Sequence, residues 1–438
     1  MSIAEMPSKG VILDLVDIFL SKFIALIPCF HEQRLRDSIE KGELQNEAPV
    51  LVYIMVAMAA RSHQDESIRR QEKGWYTNAK LAFDLTTHDS EPALRILQAA
   101  ACLVTYANIV YGVSPMWTLL GKAWRLACSH GYNRIDTKFW NTPAFTSPSS
   151  SEVEKEERRR AMWVLFMFDR GSSFAVGWPH AINEQHFVVN RPLNDQSFQT
   201  GGLGSPSSSI PTPLDPFQIL INTYKLAGQV VEHTYVLQVP EDFNIHRKEF
   251  DQLGEDLAAI TAQSAEQIQN LWSLSERGQI QAVWTHIVAH AAQIILNHRP
   301  LDDWAIITGG STDAAALQAW HDSHFQRCIR AADTIIQRIK YLERASPKVL
   351  INPHIGSSLY MIERILVICW HETREPRYRQ DIDTILLLSQ RLAEEYPRLG
   401  QGYITKIKRD LELDANTVQR MRALGSRGGV SGCRSLPS

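Results

Sequence analysis

Residues 152–182 read EVEKEERRRAMWVLFMFDRGSSFAVGWPHAI. A charged lead-in gives way to a block, 161–168, that is apolar on every side of a helix. A helix tolerates that only where neighbours cover it all round, so this one lies in a core. Asp169 and Arg170 follow while the helix is still surrounded. A buried carboxylate or guanidinium left alone costs several kcal/mol, roughly, so the two are expected to be paired with each other or with neighbouring helices. Gly171 and the Ser172-Ser173 step favour a break there, and Gly177 with Pro179 marks a turn.

Outward from this helix the same period recurs. Before it, Leu15, Ile18, Phe19, Phe23 and Ile27 fall at helical spacing until Pro28 ends the run, and 30–35 reads as a loop carrying His31. Further helices are expected at about 50–60 and 74–85. A matched pair follows: Ser90-Glu91-Pro92 is a good helix start, Gly112 to Pro115 turn the chain, and Gly131 closes the second helix. Two helices joined so tightly pack antiparallel. After the core helix, 187–190 alternates like a strand, and helical spacing resumes at about 217–237, 250–274, 280–297, 314–342, 357–370 and 381–396. There is no internal repeat and no βαβ alternation, so the expected class is all-α. We expect one large domain of packed antiparallel helices over 11–424, a loose lead at 1–10, mobile loops at 142–151 and 196–216, and a disordered tail at 425–438.

The chain has 438 residues, enough for a large core, and 44% hydrophobic with 21% charged residues is a globular composition. A net charge of -3 provides no general attraction to phosphate backbones. The run 11–27 is interrupted by Asp14, Asp17 and Lys22, and 49–60 is too short to cross a bilayer, so no membrane segment is expected. Six widely scattered cysteines, most in apolar surroundings, predict no disulfide framework and a reduced intracellular compartment.

Several constellations invite chemistry and fall short of it. Arg158, Arg159 and Arg160 could hold phosphate, but five acids (Glu152, Glu154, Glu156, Glu157, Asp169) match Lys155, these three arginines and Arg170, the mark of a paired face. His286 and His290 stand one turn apart without further zinc ligands at suitable spacing, as do His321 and His324. Asp302-Asp303 and Asn194-Asp195 lack the additional acid a magnesium-binding helix needs. Trp117, Trp124, Trp163 and Trp284 could line an effector pocket, though core packing is the expected use of such residues. No nucleophile elbow, phosphate loop or dinucleotide fingerprint is present. No catalytic residue, cofactor or metal is assigned, and the chain is not expected to be an enzyme.

Four segments, in order, carry a family resemblance: LDLVDIFLSKFIALIPCFHEQRL (13–35); LQAAACLVTYANIVYG with WTLLGKAWRLACSHGYNR (97–134); EERRRAMWVLFMFDRGSSFAVGWP followed by AI (156–182); and LNHRP (296–300) with NPHIGSSLYMIERI (352–365). Together they resemble the regulatory middle region of fungal zinc-cluster transcription factors. Where that family has a Gly-Arg-Pro turn, this chain has Trp178 between Gly177 and Pro179. The resemblance implies Arg159, Arg160, Trp163, Asp169, Arg170, Gly177 and Pro179 as a structural and regulatory core. It also implies a nuclear regulator of a metabolic or secondary-metabolite gene set that acts through a protein partner or small-molecule effector; the sequence leaves open whether it forms a homo- or heterodimer. DNA-binding members carry a six-cysteine cluster with Cys-x-x-Cys spacing, and none of these cysteines is so spaced. Direct DNA binding is therefore not expected of this polypeptide, which would be a truncated product or a regulator working through partners. The alternatives are a biosynthetic enzyme or ligand carrier on the same scaffold and an antagonist that binds related factors.

Overall fold

Apolar residues at three- and four-residue spacing close into helices wherever a capping side chain or proline starts them. The computed structural model describes residues 4–87, 90, 92–137, 149–201, 214–235 and 242–425, and among these there are helices and no strand. The all-α class is thus as expected. Residues 11–424, taken from the sequence as one helical domain, group by contact into two compact units, 1–169 with 181–218 and 170–180 with 219–438.

The first unit contains α1 (Lys9–Phe23), α2 (Glu32–Glu40), α3 (Glu43–Glu47), α4 (Pro49–Ala60), α5 (Glu66–Arg69), α6 (Glu72–Leu85), α7 (Ala93–Val110) and α8 (Val113–Ser129). It also holds most of α9 (Glu152–Val176) and all of α10 (Asp195–Thr200). Its centre is α4, which packs on α1, α6 and α7 and buries nearly every side chain, a helix with no polar face to offer water. The tight turn at Gly112 packs α7 against α8 as anticipated. By length and hydropathy α7 could cross a membrane, but 89% of it is buried within the fold.

The second unit runs through α11 (Pro216–Thr234), α12 (Phe243–Gln269), α13 (Glu276–Asn297), α14 (Leu301–Ile307), α15 (Ala314–Ala345), α16 (Gly356–Thr373), α17 (Pro376–Glu395), α18 (Pro397–Leu411) and α19 (Ala415–Leu424). Acids and serines start these helices by satisfying free amides: Asp242 for α12, Ser275 for α13, Asp313 for α15 and Asp414 for α19. Helices α13 and α16 are the buried pair around which α12, α15, α17 and α18 are layered.

Several boundaries differ from expectation. Helix α9 continues through Gly171, Ser172 and Ser173 to Val176, because the two serines are buried and packing overrides their weak helix preference. Residues 30–35 are mostly α2, with His31 as its cap: Nδ1 accepts the Arg34 amide at 3.3 Å. The segment at 187–190 is irregular rather than a strand; the Val188 amide donates to the Asn133 carbonyl at 2.7 Å and no ladder continues. The stretch expected to be mobile from 196 begins as α10, capped by Asn194, whose side chain accepts the Ser197 amide at 2.8 Å. The lead is tethered: the Ala4 and Glu5 carbonyls accept from Asn78 (2.6 Å) and Trp75 (3.0 Å). Most of the loop at 142–151, residues 202–213 and the tail from 426 lie outside the described residues.

Glu363 in α16 is fully buried, and neither of its carboxylate oxygens has a hydrogen-bond partner among the described residues. Burial first, then the nearby Asp410 carboxylate, pushes its pKa well above the ordinary glutamate value, against the pull of Arg364 and Arg409. For a carboxyl whose folded pKa is raised, the stabilising contribution is complete below the unfolded value and disappears as pH rises through the folded one. Glu363→Gln is therefore expected to match the native chain at pH 4 and to be the more stable of the two at pH 8, with the gap growing between. Thermal melts of both proteins across that range check it; a gap that does not change with pH contradicts the assignment.

Candidate functional site

Helix α9 places three consecutive arginines where only one is near water. Arg160 is fully buried. It donates from Nε to Glu156 (3.2 Å), from Nη1 to the Pro28 carbonyl and Asp195 (both 3.1 Å), and from Nη2 to the Leu193 carbonyl (2.8 Å). The rings of Phe198 and Phe217 flank its guanidinium at 4.2 and 5.3 Å. Glu156 returns a bond by accepting the Leu193 amide at 2.8 Å, and burial holds its carboxyl above the usual range although Arg160 pulls the other way. Arg159 turns to Asp136 at 2.5 and 2.9 Å. Burial raises the Asp136 pKa, but the Arg159 bonds and the Asn190 amide outweigh it and leave the carboxyl below its ordinary value. Arg158 pairs with Glu154 at 2.6 Å, one turn back.

Glu157, on the adjoining face, is fully buried as well. It accepts the His31 amide (3.2 Å), Arg95 (3.3 Å) and Gln98 (3.5 Å), and Arg34 lies 3.3 Å from its other oxygen. Gln98 in turn donates to the Cys29 carbonyl at 2.7 Å. The turn at 28–31, the first face of α7, the acidic-basic stretch of α9 and the start of α10 thus meet in one polar layer inside the first unit. The partners are charged side chains, the Gln98 amide and backbone groups, and together they fix how these segments seat. The expectation of pairing holds, but the partners come from across the unit as well as from the helix itself.

Of the other candidates, Trp163 donates its indole N–H to the Asn190 carbonyl (2.8 Å) and packs edge-on against Phe187 at 4.8 Å. Buried Asp169 accepts the Ala181 and Ile182 amides at 3.0 and 3.1 Å, so the acid pins the chain that returns after the turn. Gly177 ends α9 at φ +72, a left-handed cap that suits glycine, with its amide 2.6 Å from the Ser173 carbonyl. Pro179 follows on the surface. Arg170 belongs to the second unit, where it is buried against α11 at Gly228. A Cβ at 228 would sit 2.4 Å from the Arg170 Cδ. Glycine to alanine in a helix ordinarily stabilises by about 0.5–1 kcal/mol. Gly228→Ala is expected instead to destabilise by roughly 1–3 kcal/mol, since the buried arginine has no room to yield. Urea titration decides the sign; a gain in stability contradicts this packing.

Sequence reasoning missed Arg299, the arginine of the LNHRP segment. It is fully buried, and donates to the Leu296 carbonyl (3.0 Å), to His233 Nδ1 (2.7 Å) and to Thr234 (3.0 Å), with Asp303 at 3.9 Å. His233 and His246 stack at 3.9 Å and lie with Glu249 close enough to hold a metal. The hydrogen bonds argue against it: His233 Nδ1 accepts from Arg299, while Nε2 faces the His246 carbonyl at 3.0 Å. Both nitrogens are occupied, beside a permanent cation. Burial first, and then Arg299, pushes His233 down to about 3. His286 and His290 are likewise committed, to Ser264 (3.0 Å) and Gln293 (3.1 Å), and burial brings them to about 3 and about 4. Asp303 stands beside Arg299, Asp195 beside Arg160, and Trp284 donates to Tyr224 at 2.9 Å inside the core.

Arg160 and Arg299 both fall on segments that carried the resemblance, and the Arg160-centred layer lies within the region that matches known proteins. The profile described as "Fungal specific transcription factor domain" matches residues 16–270, more than half of the chain. The chain belongs to this family. It is a family of transcription factors and not of enzymes. Among curated members, the pigment biosynthesis transcriptional activator pigB of Monascus ruber is 28% identical over 194 residues, which are 42% of this chain and 34% of that protein. The citrinin biosynthesis transcriptional activator mrl3 of Monascus ruber is 23% identical over 241 residues, 52% of this chain and 46% of that protein. A Zn(2)-C6 fungal-type transcription factor of Fusarium oxysporum f. sp. lycopersici is 29% identical over 212 residues, 45% of this chain and 21% of that protein. The alignments therefore take in less than half of each relative's own length. Within the fungal transcription factor domain of this chain, the Pro28 turn, α7, α9 and α10 supply the buried polar layer.

Proposed function

We propose that this chain regulates transcription in the nucleus and controls a metabolic gene set of the secondary-metabolite kind. The observation that carries the reading is the family match over 16–270, joined by relatives whose names are those of pigment and citrinin pathway activators. The geometry supports a regulatory rather than a catalytic role. The acids and arginines that look reactive in the sequence are consumed by one another and by backbone groups within the fold. No two cysteines stand at Cys-x-x-Cys spacing, so the residues here do not supply a zinc cluster. We assign the helical region to engagement of a protein partner or effector.

Deletion of the gene followed by transcript profiling tests this. A coordinated change in a set of biosynthetic transcripts, restored by the intact coding sequence, is the expected result. An altered metabolite profile with unchanged transcripts would overturn the proposal and favour a direct biosynthetic role.

A further inference from the structure

Within the second unit α12 and α15 both lie on α13 and leave a groove of about 680 Å³ between them. The two helices run in the same direction. Near the start of the groove Phe250 of α12 meets His324 of α15 with ring centroids 5.8 Å apart, and at its far end Trp272, just past α12, donates its indole N–H to the Tyr341 hydroxyl of α15 at 3.3 Å. The walls carry opposite charge. Asp251 and Glu255 stand exposed on α12, with Arg327 and Arg330 exposed on α15 at the same level. Asp333, the acid of α15 in this span, turns to Arg377 at 3.7 Å. No ion pair joins the two walls among the described residues: Asp251 has Arg247 at 3.9 Å, while Glu255 and both arginines have no partner of opposite charge there. Past the charges, Trp272 and Tyr341 are 49% and 48% exposed, with Arg338 over the tyrosine ring at 5.6 Å. Aromatic rings left this open beside arginine are the usual anchors of a protein interface. Along α12, Gly254, Ala258 and Ala262 follow at four-residue steps with both alanines exposed, which leaves room for a neighbouring helix.

We propose that this face is an interface between two copies of the chain, related by a two-fold axis that runs along the groove. Such an axis lays α15 of each copy over α12 of the other without moving either lengthwise. Arg327 and Arg330 then meet the partner's Asp251 and Glu255, and Tyr341 meets the partner's Trp272. Each contact recurs across the axis, as an isologous interface requires. An acidic and a basic row at one level on two parallel helices are self-complementary under that operation, and the charges that find no partner inside one chain find it in the second. The face extends about 27 Å along α12 from Asp251 to Gln269 and about two helix diameters across. Two copies would bury roughly 1,200 Å² in all, at the lower edge of specific interfaces. The inference does not rest on the regulatory reading, since its test is the state of association.

Sedimentation equilibrium of the full chain over roughly 1–100 µM provides that test. The expected result is a reversible monomer–dimer equilibrium within that range. Arg327→Glu/Arg330→Glu makes both walls acidic, and Asp251→Arg/Glu255→Arg makes both basic. Each should raise the dissociation constant about a hundredfold or more, because like charges then face one another. In an equal mixture the two variants should pair as a heterodimer, and the chain with all four substitutions should dimerise like the native one. These positions are exposed, so melting temperatures should stay near native and separate lost pairing from lost folding. A monomer throughout the range would overturn the proposal and leave the face to a partner of different sequence. So would a dimer that both reversals leave intact, or reversed variants that stay apart when mixed.

Discussion

Arg160→Ala is expected to destabilise the first unit by about 3–5 kcal/mol, the cost of breaking a buried ion pair by removing one partner. The substitution strands the Glu156 carboxylate, the Pro28 and Leu193 carbonyls and one side of Asp195 together, and opens a void between Phe198 and Phe217. For a unit of this size the melting temperature should fall by about 10 °C. Arg160→Lys should recover little. A single ammonium cannot reach acceptors arranged around a planar fork, and it shifts the aromatic contacts on both faces. Hydrogen exchange should show lost protection at 28–31 and 190–199, the segments tied to the guanidinium. A melting temperature within a degree or two of native would mean these bonds do not hold the layer together.

Arg299→Ala should be nearly as costly in the second unit, by about 2–4 kcal/mol, because three buried acceptors lose a charged donor at once. It also carries a pH signature. Burial, followed by the Arg299 charge, depresses the His233 pKa below its unfolded value. A histidine whose folded pKa is depressed lends stability that is complete above the unfolded value of 6.5 and is lost as pH falls toward the folded one. With the arginine removed, His233 should hold its proton more readily. The acid-side loss between pH 6.5 and 4 should then be shallower in the variant, though burial keeps part of it. Stability curves for the two proteins over that window decide the matter, and parallel curves would show that Arg299 and His233 are not coupled.

The fold was readable where the chemistry is local. An eight-residue block with no polar face announces a core helix, and an Asp or Ser before an apolar run announces a helix start, so α9, α13 and α15 stand close to where their residues place them. Local rules failed where packing decides. Gly171 and the serines beside it look like a break, yet α9 runs on because the two serines are buried. Gln196 looks like the beginning of a flexible stretch, yet the Asn194 cap and the burial of Phe198 beside Arg160 set one and a half helical turns there. The candidate core was half legible. Counting charges shows that the arginines of α9 are balanced. It cannot show that Asp136, Asp195, Arg34 and Arg95 join from elsewhere in the chain, because sequence separation hides spatial neighbours. The same holds for Arg299 and His233, 66 positions apart. No local pattern distinguishes that arginine from a solvated one after a helix end.

The account rests on the arginine run of α9 being an internal ion-pair layer rather than an anion-binding surface. A double-mutant cycle on Glu156→Gln and Arg160→Met measures this most directly. Residues in one buried network should couple by about 1–3 kcal/mol, with each single variant costing nearly as much as the pair, and heparin affinity should not change in any of them. Additivity within roughly 0.3 kcal/mol, together with lost heparin binding in the arginine variant alone, would contradict the account and return Arg160 to the surface as a ligand for phosphate.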